Sequence, residues 1–159
     1  MEKAGDSRVF IRAATEGDLD RILEIERLSF PIGKQWDRSD FQQVFRDLFL
    51  VSGEKELSGF LIACCWENER RAVILRIAVH PEVRGRGIAT ILIEEAIEKI
   101  REMDIREVEL EVDIVKRGAI QLYEAIGFKI ARGIPMIDNN TMDDENGSFF
   151  LMKMVVNEP

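Results

Sequence analysis

The clearest hydrophobic pattern in this chain is an apolar run, then a turn with two glycines, then a long amphipathic segment. The run from Val73 to Val79 is mostly apolar and rich in β-branched residues, which is typical of a buried strand. After the turn, apolar residues recur at three- and four-residue spacing from Ile88 to Met103, which predicts a helix with one face against a core. Gly85 and Gly87 therefore lie at the N-terminus of a predicted helix.

The same patterns along the whole chain predict strands and helices that do not alternate strictly. This order favours an α/β fold with a mixed sheet flanked by helices. Thr15, followed by Glu16 and Asp18, is a suitable helix start, and Gly127 is a suitable helix stop. The predicted strands span residues 8–14, 48–53, 57–67, 71–79, 106–113, 128–135 and 148–156. The predicted helices span residues 16–29, 37–47, 87–103 and 116–126.

Composition restricts the class of protein. The 159 residues suit one domain spanning residues 1–159, with residues 1–7 expected to form a flexible tail. No apolar run approaches the roughly 20 residues of a membrane span, and no signal peptide is visible, so we expect a cytoplasmic protein. The net charge of -8 argues against nonspecific nucleic-acid binding. Cys64 and Cys65 are adjacent in a predicted strand, where their side chains should point to opposite faces and stay reduced.

The glycine-containing turn is suited to binding a phosphate. The first backbone N–H groups of a helix have no intrahelical acceptor, and the helix dipole is positive at that end. Glycine allows the backbone to approach a ligand closely. The segment from Arg84 to Thr90 is therefore predicted to hold a phosphate or pyrophosphate group.

Two nucleotide-binding motifs fit this turn poorly. A P-loop requires a lysine after its second glycine, and no lysine follows Gly85 or Gly87. The dinucleotide motif Gly-x-Gly-x-x-Gly matches at these two glycines, with Glu107 about twenty residues further on. However, Thr90 stands in place of the third glycine, and the chain is short for the repeated strand-helix units of a dinucleotide fold.

Three segments resemble conserved parts of the GNAT superfamily of N-acetyltransferases. The first matches the acetyl-CoA signature: Arg84-x-x-Gly87-x-Ala89, preceded by Val79-His80-Pro81-Glu82-Val83. The second matches a downstream block: Leu110-Glu111-Val112, then Ala119-Ile120-x-Leu122-Tyr123-Glu124-x-x-Gly127-Phe128. The third is similar to acetyltransferases of ribosomal-protein and other protein N-termini: Glu26-x-x-Ser29-Phe30-Pro31, Trp36-Asp37 and Phe41.

This resemblance implies a fold and a way of binding acetyl-CoA, with no metal. The GNAT fold has a central, mostly antiparallel sheet flanked by helices, with a splay between its fourth and fifth strands that admits the cofactor. On that pattern, the backbone of Ile77, Ala78 and Val79 pairs with the pantetheine arm. The residues expected around the pyrophosphate are Arg84, Gly85, Arg86, Gly87, Ile88, Ala89 and Thr90.

The resemblance also implies two catalytic residues. Tyr123, the single tyrosine, matches the general acid that protonates the sulfur of CoA, and a phenol of pKa about 10 can protonate a thiolate of pKa about 8.5. Glu111 matches the general base of ribosomal-protein acetyltransferases and shares a strand face with other acidic residues, whose charge would raise its pKa. A solvated face is the other interpretation of these residues. His80 is a second candidate base, although its place before Pro81 predicts a surface turn.

Two departures from the family pattern leave questions open. Lys116 stands where many members have Asn, so it either reaches a cofactor phosphate or points to solvent. Relatives that hold peptide N-termini often carry tyrosines between their last two strands, but residues 134–140 contain none and acidic residues 143–145 follow. This segment is either a solvated hairpin loop or an acidic lid that attracts a cationic substrate.

The sequence therefore favours an enzyme that moves acetyl from acetyl-CoA to a primary amine by direct attack in a ternary complex, since neither cysteine lies near the motifs. Deprotonation at pH 7 costs about 1.4 kcal/mol for an α-amine but about 4.6 kcal/mol for a lysine, which favours a protein or peptide N-terminus. A small-molecule amine such as a polyamine, or a noncatalytic acyl-CoA-binding module, remains an alternative. We expect a monomer or homodimer with no nucleic-acid or membrane partner.

Overall fold

The computed structural model describes residues 10–45, 47–135 and 148–158. The strands are β1 (Ile11–Ala13), β2 (Leu48–Ser52), β3 (Gly59–Trp66), β4 (Arg71–Val79), β5 (Glu107–Asp113), β6 (Lys129–Pro135) and β7 (Ser148–Val155). The helices are α1 (Leu19–Ser29), α2 (Arg38–Gln43), α3 (Ile88–Glu102) and α4 (Arg117–Ile126). The predicted strands and helices are thus confirmed, with differences at their ends. The predicted tail, residues 1–7, and residues 136–147 of the predicted loop or lid lie outside the described residues.

The seven strands form a mixed sheet in the order β1-β2-β3-β4-β5-β7-β6. β4 and β5 are parallel, whereas β1 with β2, β2 with β3, and β7 with β5 and β6 are antiparallel. The mixed, mostly antiparallel sheet is therefore as predicted. The β4–β5 ladder ends where Ile74 pairs with Leu110, although β4 continues to Val79 and β5 to Asp113. The ladder between β4 and β5 therefore covers Arg71–Ile74 and Glu107–Leu110.

The chain folds as two compact units. The first contains the described residues up to Cys64 together with Arg76–Glu98, and the second contains Cys65–Leu75 and the described residues from Lys99 onward. In the first unit, the apolar face of α1 packs with aromatic residues of α2, β2 and β3. Its largest fully buried members include Ile22, Ile25, Phe41 and Phe60. The same cluster contains Ala78, so the C-terminal part of β4 is anchored in this core.

In the second unit, side chains of β5 alternate as a half-buried strand requires. Val108, Leu110 and Val112 are buried, and Glu111 between them is exposed. β7 pairs with β5 along its whole length and contributes the buried residues Leu151 and Met152. The pairing of β5 with β7 therefore fixes which side chains share a face of the sheet. None of the described helices has the length and hydropathy needed to cross a bilayer.

Capping residues lie before the start of α1 and at the end of α4. Thr15 N donates to Asp18 Oδ2 at 2.8 Å, so Thr15 caps the 3-10 turn Glu16–Asp18, and α1 itself begins later than predicted, at Leu19. At the end of α4, Gly127 has φ +131°, and its N–H donates to Tyr123 O at 3.1 Å. Gly127 therefore ends α4 as predicted and holds the last helical turn, which carries Tyr123.

Gly59 of β3 lies directly against the backbone of β4. A Cβ placed on Gly59 would lie 2.8 Å from Ala78 O and 3.3 Å from Leu92 Cδ1. We expect Gly59→Ala to lower the free energy of unfolding by about 1–3 kcal/mol, because the buried backbone of Ala78 must shift. Urea denaturation of this variant beside Gly33→Ala, where a Cβ meets nothing within 4 Å, measures the effect. Equal stability of the two variants would contradict it.

Candidate active site

The predicted phosphate-binding turn of the first unit lies at the N-terminus of α3. Gly85 and Gly87 have φ of +78° and +81°, a backbone conformation that favours glycine, and both are exposed. Gly87 O accepts a hydrogen bond from Ile91 N at 3.1 Å, so Gly87 begins the helical hydrogen-bond pattern. The N–H groups of Ile88 to Thr90 therefore stand at the positive end of a fifteen-residue helix. This geometry suits an anion.

Arg84 braces this turn against two neighbouring elements. Its Nε donates to Val79 O at 2.9 Å, and its Nη2 donates to Ser29 Oγ at 3.1 Å. The guanidinium is thus fixed between the end of β4 and the end of α1, and its charge stays beside the turn. Arg86 is exposed on the same turn. The structure therefore gives Arg84 a bracing role that the sequence did not indicate.

The predicted pantetheine strand, Ile77 to Val79, also belongs to the first unit. Ala78 is buried in the core, whereas Ile77 and Val79 are half-buried, as alternation along a strand requires. Arg84 already occupies the carbonyl of Val79. The backbone groups of this segment that bond neither to β3 nor to Arg84 are the ones that the predicted pairing would use.

The expectation of a surface position for His80 was wrong. His80 is only 8% exposed, its backbone N donates to Ser58 O at 2.7 Å, and its Nδ1 accepts from Glu82 N at 3.1 Å. The side chain caps the short turn Pro81–Val83 that leads to the phosphate-binding turn. Because Nδ1 is used as an acceptor by the backbone, His80 has a structural role and loses support as a base.

Sequence reasoning gave no role to the ion pair between Glu26 and Arg76 in the first unit. Glu26 is fully buried, and both of its carboxylate oxygens accept from Arg76, Nε to Oε1 at 2.9 Å. Trp36 N donates to Glu26 Oε2 at 2.9 Å, and Arg76 donates to Lys34 O at 2.9 Å. The guanidinium also lies 3.8 Å from the ring centroid of Phe30. The sequence signal for this ion pair is Arg76, the single charged residue in the apolar run Val73–Val79.

In the second unit, the acidic face of β5 is only partly solvated. Glu111 is exposed, so a substrate can reach its carboxylate. Glu109 is 7% exposed and accepts from Arg71 Nε at 2.6 Å, so the alternative of a solvated face does not hold for this residue. The carboxylate of Glu109 accepts from the Arg71 guanidinium and holds the pKa of Arg71 above its ordinary value. Glu111 is therefore an accessible carboxylate, whereas Glu109 on the same face is paired with Arg71.

Tyr123 lies on α4 in the second unit and is half-buried. Its ring packs edge-on against Phe128, with ring centroids 6.2 Å apart. Burial raises the pKa of the Tyr123 phenol above its ordinary value of 10.0. The phenol consequently stays protonated at neutral pH, which is the state that a general acid needs.

Lys116 is the N-cap residue of α4 and is exposed. Its N donates to Asp113 O at 3.0 Å, and its O accepts from Ile120 N at 3.1 Å. The backbone of Lys116 thus joins the end of β5 to the start of α4. Through this short turn, the strand that carries Glu111 leads directly into the helix that carries Tyr123.

Residues 19–128 match the acetyltransferase (GNAT) family. An uncharacterized N-acetyltransferase of Methanocaldococcus jannaschii is 33% identical over 135 residues, which cover 75% of this chain and 60% of that protein. A Bacillus subtilis protein with the provisional name ribosomal protein bS18-alanine N-acetyltransferase is 27% identical over 146 residues, which cover 89% of this chain and 91% of that protein.

Two solved structures share the fold. The ribosomal-protein-S18-alanine N-acetyltransferase from Escherichia coli superimposes with a TM-score of 0.81 at 21% identity, over 95% of this chain and 96% of that chain. A provisionally named acetyltransferase from Salmonella typhimurium, solved with its cofactor acetyl-CoA, gives 0.79 at 18% identity, over 96% of both chains. The matched residues include all three predicted motifs, which lie within Glu26–Phe41, Val79–Ala89 and Leu110–Phe128. The chain therefore belongs to the acetyltransferase (GNAT) family of N-acetyltransferases, for which acetyl-CoA is the co-substrate.

Proposed function

We propose that this chain transfers the acetyl group of acetyl-CoA to the α-amino group of a protein or peptide N-terminus. The observation that carries the proposal is the second unit's combination of an acid and a base: a half-buried, protonated Tyr123 and an exposed Glu111. Two proteins with this fold or sequence pattern are named for acetylating the alanine of a ribosomal protein. The match covers only 60% of the Methanocaldococcus jannaschii relative. The proposed acceptor therefore rests on the residues of this chain and not on that relative.

In the proposed reaction, Glu111 takes a proton from the ammonium form of the acceptor and leaves a neutral amine. The amine nitrogen attacks the thioester carbonyl carbon, and a C–N bond forms while the C–S bond breaks. Tyr123 donates its proton to the departing sulfur, and the new amide nitrogen loses its extra proton to solvent. The products are an N-acetylated terminus and CoA. Glu111 then releases its proton to solvent, and Tyr123 is reprotonated from water.

The residues proposed to hold acetyl-CoA lie in the first unit. The N–H groups at the start of α3 would donate to the pyrophosphate oxygens, and Gly85 and Gly87 leave open space around the backbone. Backbone groups of Ile77 to Val79 would pair with the pantetheine arm. Arg86 would add positive charge, and Arg84 would hold the turn in shape. Lys116 would meet a phosphate or solvent.

The α-amine is preferred to a lysine because it is easier to deprotonate. At pH 7 an α-amine of pKa about 8 costs about 1.4 kcal/mol to deprotonate, and a lysine of pKa about 10.4 costs about 4.6 kcal/mol. A single exposed carboxylate is a modest base, which suits the smaller cost.

We place the reaction in the cytoplasm, supported by Cys64, which is a thiol that donates to Asp47 Oδ2 at 3.1 Å.

Measurement of CoA release across an acceptor panel tests this function. The panel holds peptides with a free N-terminus and no lysine, the same peptides with a blocked N-terminus and one lysine, and polyamines. We expect kcat/KM to be at least tenfold higher for the free N-termini, since the difference in deprotonation cost favours them. Comparable turnover of the lysine peptides, or faster turnover of polyamines, would overturn the proposed acceptor.

A further inference from the structure

The open face of the second unit's sheet carries charges of opposite sign on different strands. On β5 the side chains of this face include Glu109, which is buried and paired with Arg71, and Glu111, which is exposed. On β7 and β6 the outward side chains on the same face include Lys153, Lys129 and Arg132. A ligand lying across these strands would meet negative charge first and positive charge next.

A β-bulge brings Arg132 to this face. Lys129 and Arg132 are three residues apart, so a regular strand would point them to opposite faces. The pairing of β6 with β7 shifts between Ile130 and Arg132, so Lys129 lies opposite Lys153 and Arg132 lies opposite Leu151. Lys153 and Leu151 share a face of β7, so Lys129 and Arg132 share it too. Bulges that re-aim a side chain occur often beside active sites.

The register places these cations in line with the proposed base. Glu111 and Arg132 both lie opposite Leu151, one from each side. With strands about 4.8 Å apart, the backbone of Arg132 lies about 10 Å from that of Glu111. Lys153 is a diagonal neighbour of Glu111, at about 7–8 Å. Lys129 and Lys153 also line a groove of about 420 Å³.

Among the described residues, these cations have no acidic partner. Glu109 lies opposite Lys153 in the register, but its carboxylate is taken by Arg71. Across residues 10–45, 47–135 and 148–158, no carboxylate lies within ion-pair distance of Lys129, Arg132 or Lys153. Arg132 and Lys129 are exposed and Lys153 is half-buried. Three positive charges thus face outward within reach of Glu111.

We infer that this basic row, defined as Lys129, Arg132 and Lys153, selects acceptors with an acidic side chain at the third residue. The inference rests on the proposed function, since it takes the acceptor's α-amine to be at Glu111. An extended peptide advances about 3.3 Å per residue, so the third residue lies about 7 Å beyond the first. Alternation points the first and third side chains to the same side. The third side chain then lies between Lys153 and Arg132, where a carboxylate is complementary in charge.

Three peptides that differ only at the third residue, as Glu, Gln or Lys, test the inference through kcat/KM at low salt. We expect the Glu peptide to exceed the Gln peptide about fivefold and the Lys peptide about tenfold, as exposed charge pairs allow. The differences should shrink as ionic strength rises. In the variant Arg132→Gln/Lys153→Gln, the three peptides should become equivalent. Arg132→Glu should invert the order.

Lys55→Gln serves as the matched control, because Lys55 is an exposed cation in the first unit. It should keep the order of the three peptides. The KM for acetyl-CoA should be unchanged in all variants. A rise in that KM, with the order of the peptides retained, would assign the basic row to the cofactor and overturn the inference.

Two other outcomes separate this inference from the proposed function. Equal turnover of the three peptides by the natural chain would overturn the inference and leave N-terminal acetylation in place. Turnover of a small amine with none of the three peptides would overturn the proposed function, and the inference would fail with it.

Discussion

Tyr123→Phe is expected to lower kcat by about 10²–10⁴-fold, the usual contribution of a general acid. The change removes one hydroxyl and retains the ring that packs on Phe128. Without the phenol, the thiolate of CoA must leave without a proton donor, so the loss should fall on kcat and leave the KM for acetyl-CoA unchanged. Steady-state kinetics of CoA release measures both constants.

The pH dependence of kcat provides a second measurement on the same residue. Burial raises the pKa of Tyr123, so the acid form that catalysis needs persists to higher pH than for an ordinary phenol. We expect kcat of the natural chain to show no decline from loss of this acid below about pH 10. Full activity of Tyr123→Phe, with an unchanged melting temperature, would contradict the assignment of Tyr123 as the acid.

Arg76→Met is expected to lower the free energy of unfolding by about 3–5 kcal/mol. Glu26 is fully buried, and this change leaves its carboxylate without its cationic partner. The variant also loses the hydrogen bond to Lys34 O and the contact with the ring of Phe30. Urea denaturation measures the change, with Arg12→Met as the control. Arg12 pairs with Asp18 but is half-exposed, so its loss should cost about 1 kcal/mol or less.

The double variant Glu26→Gln/Arg76→Met tests the reason for this loss. A neutral glutamine at position 26 removes the buried charge and keeps an oxygen to accept from Trp36 N. We expect the double variant to be more stable than Arg76→Met by about 1–2 kcal/mol, since an unpaired buried charge costs more than its absence. If the double variant is instead less stable than Arg76→Met, the cost lies in packing and not in the unpaired charge.

Local sequence signals were sufficient where the structure depends on nearby residues. The strand that ends at Val79, the two glycines and α3 follow from periodicity and from backbone conformations that favour glycine. The end of α4 at Gly127 has the same origin. Assignment to the GNAT family rested on motifs in these same local segments.

The environment of individual polar side chains depends on contacts between residues distant in sequence. His80 was expected on the surface but is buried, because Ser58 and Glu82 supply its hydrogen bonds. Glu109 follows the alternation of an exposed acidic strand but is buried by its pair with Arg71. Periodicity predicts which face a residue lies on, and it contains no information about what covers that face.

The sequence by itself determined the order of strands and helices, the turn that begins α3, and the family, because each depends on residues close together in the chain. Tertiary structure alone decided the partners of Glu26 and Glu109 and the bracing role of Arg84. It also decided that the bulge in β6 puts Arg132 in line with Glu111. Strand pairing and ion pairs join residues far apart in sequence, so their register is fixed only when the sheet is assembled.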